Sequence, residues 1–458
     1  MSYSSEDFQE WVKTQILDHY EEHAFEEGNI SFQLQGYTAR LVFYPEDIVE
    51  LSLTNDSTGE NCFYLHFQAN EKEHAEELFR AMTDTLNDSL QSSKRRILIV
   101  CSSAMTSTYF SNLLNEASAM LKFNYEFDAS DISGLYAAGA DCEAILLTPQ
   151  ISYEYEKTRK VFKDKTVLKI PTRIYAGYNS GELLNFLNQS LAEKEKELKE
   201  KEYGVLPQMT ENDFRILTIG MINNQRSKCL AYRIYDHGKK TLDKEVIKHD
   251  ISMRDIEDLL AYVFARHRNI DCIVLGLPGV ENDGKLTIEE TAVSHADIVS
   301  RLKAKFHHEF FLLNDVNAIA LGYSTIHPEC SDLLFYFQPL GYWVPGAGLI
   351  ENGKLRKGYH NASGEMRPLL KSSFDHLDQM INTPEGTLQI IVKGLMAYIC
   401  TSAPKAIALY SEMVPEAENV RKELERNIPE EYIPPIRRAR HIKEYLLAGL
   451  LSYGMQML

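Results

Sequence analysis

The chain has 458 residues, 44% of them hydrophobic and 25% charged, with a formal net charge of −18. That length exceeds one ordinary core and implies two to four domains of a water-soluble globular protein. The acidic balance disfavours direct nucleic-acid binding, which needs clustered Lys and Arg. No run approaches the ~20 apolar residues of a membrane helix, and Met1–Asp7 lacks the basic and apolar regions of a signal peptide. The seven cysteines (62, 101, 142, 229, 272, 330 and 400) are odd in number and form no CxxC pair. They read as reduced thiols of a cytoplasmic protein, without a disulfide framework or a metal site.

In chain order, residues 1–92 form a first small α+β domain. Phe8 to His23 has a helical period, and Ile30–Gln35, Ala39–Tyr44, Ile48–Thr54 and Cys62–Gln68 alternate as strands. Glu71 to Leu86 is again helical. With 19 acidic against 4 basic residues in positions 1–90, and no helix-turn-helix pattern, this part is a poor DNA binder. Residues 96–190 alternate strand and helix: Arg96–Cys101, a helix near Thr106–Leu121, then Tyr125–Asp128, Ala144–Leu147 and Val167–Ile170. That βαβ rhythm predicts a parallel sheet covered by helices. Residues 191–212 read as a charged helical linker, with Glu195/Lys199 and Glu197/Lys201 at i,i+4, ended by Gly204 and Pro207. From 213 to 458 the strands Ile216–Met221, Cys272–Leu277 and Phe310–Leu313 lead to the helix Val316–Tyr323. Helical stretches near 385–402, 414–428 and 437–456 close the chain.

Cys101 sits at the end of one predicted strand, just before a helix. Unpaired N–H groups and the positive end of the helix dipole favour a thiolate or thiophosphate there. Ser102, Ser103, Ala104, Met105, Thr106, Ser107 and Thr108 complete the candidate phosphate-binding segment. The plain alternative is a buried structural cysteine. The segment resembles the Cys-Ser-Ala-Gly-Met-Ser-Thr-Ser signature of enzyme IIB of the lactose/cellobiose-type sugar phosphotransferase system. Leu146-Leu147-Thr148-Pro149-Gln150-Ile151-Ser152-Tyr153 is similar to that family's Leu-Leu-Gly-Pro-Gln-Val-Arg-Tyr. Ala104 stands where the family prefers glycine. The resemblance implies a phosphocysteine at Cys101 and enzyme IIA as phosphoryl donor. Low-molecular-weight tyrosine phosphatases also place a cysteine there, but need an arginine six positions on; Ser107 occupies that place.

The last half resembles the ROK family of sugar kinases and sugar-responsive regulators. The resemblance rests on Gly276-Leu277-Pro278-Gly279, Asn314-Asp315-Val316-Asn317-Ala318-Ile319-Ala320-Leu321-Gly322, Gly346–Leu355 and Ala362-Ser363-Gly364-Glu365. It implies an actin/hexokinase-like fold, Asp315 as the base toward a sugar hydroxyl, and Pro278, Gly279, Asn314 and Glu365 beside the sugar. A helix N-cap at Asn314 or Asp315 is the alternative. The nucleotide side departs from the family. Gly220-Met221-Ile222-Asn223-Asn224 replaces Asp-Ile-Gly-Gly-Thr, and Tyr342-Trp343-Val344-Pro345-Gly346 replaces a Gly-rich phosphate loop. Tyr410-Ser411 stands in place of a glycine pair, Pro368 in place of a histidine, and the clustered zinc cysteines are absent.

The expected architecture is therefore α/β and multidomain: a small α+β domain, an enzyme-IIB-like parallel-sheet domain and a ROK-like domain with a degenerate ATP site. The expected function is a phosphotransferase-linked sugar sensor or regulator, with Asp315 a vestigial base and no cofactor. A true phosphoryl carrier fused to a scaffold and an atypical ATP-dependent sugar kinase are the alternatives. The partners considered are enzyme IIA, a sugar or sugar phosphate (Arg356, Lys357 and Arg367 flank the motifs), a permease or transcriptional regulator, and a second copy of the chain.

Overall fold

A computed structural model describes residues 3–20, 22–26, 28–56, 59, 61–91, 95–102, 104–121, 123, 125–139, 142–162, 165–202, 214–223, 228–287, 296–339, 344–381, 383–411, 413–414 and 417–458. Ser103, Asn224, Tyr342, Trp343 and the 203–212 end of the proposed linker lie outside them. The chain divides into two compact units, Met1–Phe63 with Ala69–Gly204, and Tyr64–Gln68 with Val205–Leu458.

The first unit opens with α1 (Ser5–His19), started by a capping box in which Ser4 and Asp7 satisfy each other's backbone N–H groups. Strands β1 (Glu22–Glu26), β2 (Asn29–Leu34), β3 (Tyr37–Tyr44) and β4 (Ile48–Asn55) form an antiparallel meander. The next strand, β5 (Asn61–Gln68), spans the boundary between the units, and α2 (Lys72–Gln91) follows it. The helix predicted to run to His23 stops at His19, and β1 takes its place. All five β1 residues are exposed, so no apolar alternation announces the strand. Pairing with β2 alone makes it.

A parallel sheet follows, built from β6 (Arg95–Cys101), α3 (Ala104–Met120), β7 (Tyr125–Asp131), α4 (Leu135–Ala138), β8 (Ala144–Leu147), α5 (Tyr155–Val161), β9 (Thr166–Lys169), α6 (Thr172–Ala176) and α7 (Ser180–Glu202). Its strand order is β7-β6-β8-β9, every pair parallel. Successive side chains of β6 point to opposite faces. Ile97, Ile99 and Cys101 join Phe110, Leu114, Leu183 and Leu187 in one cluster. Leu98 and Val100 join Leu135, Ile145, Leu147 and Phe162 in the other. Both faces are covered, which is why the strand reads as an unbroken apolar run. The charged segment begun at 191 is the second half of α7, a 23-residue helix whose first half is anchored by Leu183, Leu184, Leu187 and Leu191.

The second unit contains β10 (Arg215–Asn223), β11 (Lys228–Asp236), β12 (Lys239–Lys248), α8 (Met253–Arg266), β13 (Cys272–Leu277), the small hairpin strands β14 (Val280–Asn282), β15 (Lys285–Thr287) and β16 (Ala296–Asp297), α9 (Ile298–Phe306), β17 (Glu309–Asn314) and α10 (Asp315–Ile326). After these come β18 (Leu333–Gln338), β19 (Gly346–Glu351), β20 (Lys354–Leu355), α11 (Arg367–Ser373), α12 (Leu377–Met380), α13 (Pro384–Ser402), β21 (Ala406–Ser411), α14 (Ala417–Glu425), β22 (Ile436–Arg438) and α15 (Ile442–Met457). One sheet runs β12-β11-β10-β13-β17, with Tyr64 pairing Ile247 on β12; the other runs β20-β19-β18-β21-β22. The helix predicted from 437 starts at Ile442, because Ile436–Arg438 pairs with β21 as a parallel strand.

Helices α10 and α15 pack together in the core that joins the two sheets. Their approach depends on two glycines. A Cβ at Gly449 would lie 1.8 Å from the Ala318 carbonyl oxygen, and one at Gly322 equally close to that of Tyr445. Gly449→Ala must therefore push the helices apart, and overpacking of this kind costs about 1–3 kcal/mol or more. A urea midpoint unchanged from wild type would show that the core gives way without cost.

Candidate functional site

The C-terminal ends of β13 and β17 open on a cavity of about 350 Å³. Pro278, Gly279, Asn314, Asp315 and Glu365, all named from sequence as sugar-side residues, line it together. The strand–helix junction places two of them. Asn314 ends β17 and caps α10: its Oδ1 accepts from the Asn317 N–H at 3.0 Å, while its Nδ2 donates to the Gly279 carbonyl at 2.8 Å. The N-cap alternative is thus realised, and the same side chain ties the β13 loop to the helix start. One Nδ2 hydrogen is left for a ligand.

Asp315 follows as the first helical residue, with Oδ1 accepting from the Val316 N–H at 2.9 Å. Burial pushes its carboxyl up to about 6, opposed by the Val316 N–H bond and assisted by the negative charge of Glu365. The two carboxylates are brought close by the turn at Gly364. That glycine has φ +102°, and a Cβ there would meet the Ala347 carbonyl oxygen at 1.9 Å. No other residue fits.

Parts of two segments read from sequence as nucleotide-side departures line the same cavity. Met221 and Ile222 at the end of β10, and Val344 and Pro345 before β19, line it beside Phe337, Pro339 and Ile442. Tyr410 stacks on Phe337 with ring centroids 5.0 Å apart, and Ser411 Oγ accepts from the Val414 N–H. Pro368, in the first turn of α11, is exposed and outside the lining. Of the three flanking cations only Arg367 lines the cavity; Arg356 is exposed and Lys357 donates to the Tyr453 hydroxyl at 3.1 Å. Thr287, Phe337 and Ile442 are lining residues that sequence reading did not single out. Thr287 sits in a three-residue strand and Ile442 starts the last helix, and neither lies in a recognisable motif.

Residues 231–367 match the family model described as ROK family. The chain carries a ROK family domain. The chain is a multidomain α/β protein, and the matched span lies within its second unit. The matched span holds Pro278, Gly279, Asn314, Asp315, Glu365 and Arg367. Among solved structures, a ROK family protein from Streptococcus pneumoniae TIGR4 in complex with sucrose is 19% identical, with a TM-score of 0.40, covering 53% of this chain and 100% of its own. The ROK hexokinase from Thermus thermophilus is 17% identical, with a TM-score of 0.40, covering 53% and 99%. A ROK family transcriptional regulator, homolog of the E. coli MLC protein, is 14% identical, with a TM-score of 0.39, covering 53% and 81%. No curated protein matches the sequence.

The second candidate, in the first unit and outside the ROK domain, is Cys101. It is 1% exposed at the end of β6, immediately before α3. Its thiol donates to Gln150 Oε1 at 2.7 Å and lies 3.4 Å from the Tyr175 hydroxyl. Burial pushes the Tyr175 phenol up, and the hydrogen bond with Cys101 adds to it. The expected polar loop is shorter than its sequence suggests, because α3 begins at Ala104 and takes Ala104, Met105, Thr106, Ser107 and Thr108 into its first turns. Ser107 is buried and its hydroxyl donates to the Ser130 carbonyl at 3.4 Å, so it serves the packing of α3 on β7. Ser102 remains exposed, 3.5 Å from Gln150 Oε1. Among the described residues no cluster of His, Cys, Asp and Glu is arranged to hold a metal, and no helix is long and apolar enough to cross a membrane.

Proposed function

We propose that this chain is a carbohydrate-responsive regulator: its ROK domain binds a sugar without phosphorylating it, and Cys101 carries phosphate from an enzyme IIA. The observation that carries the reading is the composition of one cavity. Asn314, Asp315 and Glu365 present amide and carboxylate groups to it, whereas Met221, Ile222, Val344 and Pro345 stand where ROK kinases approach phosphate with glycines. Carboxylates accept paired sugar hydroxyls, and apolar side chains withhold the N–H donors a triphosphate needs. For Cys101 the support is its place between a strand end and a helix start, with Gln150 of the second motif bonded to the thiol.

An active kinase is the second reading, favoured by Asp315, whose raised carboxyl suits a general base. Calorimetry and a coupled ADP assay on the full chain separate the two. Sugar binding is expected without ATP turnover, and Asp315→Ala is expected to weaken it roughly 5- to 150-fold through lost hydrogen bonds. Because the ionised carboxylate is the better acceptor, affinity is expected to rise with pH through about 6 and to level above 7. Glu365→Gln should shift that midpoint downward. Sugar-dependent ADP release abolished by Asp315→Ala would restore the kinase.

A further inference from the structure

We propose that the ligand of the ROK cavity is a glycoside carrying an apolar aryl or alkyl aglycone. The inference rests on the carbohydrate reading above and deepens it. The cavity changes character along the sheet edge, whose strands run in the order β10-β13-β17. At the β17 and β13 end the lining supplies Asn314, Asp315 and the Pro278–Gly279 turn, with Glu365 beside Asp315. At the β10 end it supplies Met221 and Ile222, and Phe337 of β18 with Val344 and Pro345 ahead of β19 add apolar lining next to Val316.

Every edge of a free sugar carries hydroxyls, and each one buried without a partner forfeits its hydration. A second sugar ring, or a chain of phosphates, laid against Met221, Ile222, Val344 and Pro345 would meet that loss repeatedly. A phenyl or alkyl group loses nothing there, and the flexible thioether of Met221 adapts to its shape. At about 350 Å³ the cavity also falls in the range of pockets for drug-sized ligands, ~300–1,000 Å³, which are mostly apolar with a few placed polar groups. A sugar phosphate fits less well, since among the described residues Arg367 is the one lining cation and shares the cavity with Asp315 and Glu365. The polar end thus reads the sugar, and the apolar end reads what the sugar is attached to.

The test is calorimetry on the full chain with matched methyl and phenyl β-glycosides of glucose, galactose and N-acetylglucosamine, with the free sugars and benzyl alcohol as controls. For at least one sugar the phenyl glycoside is expected to bind roughly 10- to 100-fold tighter than the methyl glycoside, and benzyl alcohol more weakly than the phenyl glycoside. Met221→Glu and Val344→Asp, each checked for folding by circular dichroism, are expected to bring the phenyl-to-methyl ratio toward one. A methyl glycoside that binds as tightly as its phenyl partner overturns the aglycone inference and leaves carbohydrate binding intact. A ratio unchanged in both folded variants also overturns it, placing the aglycone elsewhere. Benzyl alcohol binding as tightly as the phenyl glycoside does the same. Silence from every sugar and glycoside overturns the carbohydrate reading together with it.

Discussion

Cys101→Ser is expected to abolish the acid-labile phosphoryl group that, under the proposed function, the wild-type chain would acquire from phosphoenolpyruvate through the general phosphotransferase proteins and an enzyme IIA. In that transfer the histidine N–P bond of the donor breaks, an S–P bond forms, and the thiol proton passes, directly or through water, to the imidazole nitrogen that leaves. A serine oxygen in the same place is a poorer nucleophile at neutral pH and would give an acid-stable ester if it reacted at all. The geometry around Sγ sets what a thiophosphate there would require. Sγ–H donates to Gln150 Oε1 at 2.7 Å, and a phosphate dianion cannot face an amide oxygen. Rotation of the Gln150 amide would turn Nε2 toward the phosphate instead, making a donor of an acceptor. Gln150→Glu has no such option and sets like charges together, so it is expected to label as poorly as Cys101→Ser. Label persisting in the serine variant, or absent from wild type with every enzyme IIA tried, counts against the phosphocysteine.

That contact also shows what the sequence holds and where it stops. The two motifs that meet at Cys101 lie 49 residues apart, and each is legible as a segment. Their meeting follows from β8 pairing in parallel with β6, which the βαβ rhythm implies. The Asn314-Asp315 junction was legible for a similar reason: an apolar strand ending in Asn-Asp before a small-residue helix carries its own cap. Of the elements the reading missed, β11, β18 and β21 are apolar runs with a clear strand signal, whereas β1 and β12 lack a local one. Exposed β1 has no inward face. β12 reads Lys-Lys-Thr-Leu-Asp-Lys-Glu-Val-Ile-Lys, too charged to announce a strand, and exists because β11 pairs along its length. The lining residues Thr287, Phe337 and Ile442 gather only when the two sheets close on α10 and α15. Nothing local marks them.

The least legible feature is an ion pair spanning 211 residues, and its removal is expected to cost more stability than any exposed change. Arg233 on β11 is buried and donates to both carboxylate oxygens of Glu444 on α15 at 2.8 Å, to Asp243 at 3.0 Å and to the Tyr235 hydroxyl at 3.1 Å. Burial works against all three charges, yet the mutual hydrogen bonds prevail. Arg233 is held more firmly protonated than usual, and Glu444 and Asp243 sit below the ordinary carboxylate range. Arg233→Met leaves Glu444 buried without its partner, and breaking such a pair costs about 3–5 kcal/mol. Replacing both, as Arg233→Met with Glu444→Leu, is expected to recover most of the loss, because the remaining site is apolar. The pH dependence has a definite sign. Carboxylates depressed in the folded state stabilise it fully above their unfolded values near 4, and that stability is lost as pH falls through the lower folded values. In Arg233→Met the lone Glu444 carboxyl is instead raised by burial, so protonation relieves the variant as pH falls. Urea unfolding of both proteins should show a gap that is widest at pH 7 and narrows toward pH 4. A gap below about 1 kcal/mol, or one constant across that range, would mean that water reaches Glu444 and that the pair adds little to what holds α15 against β11.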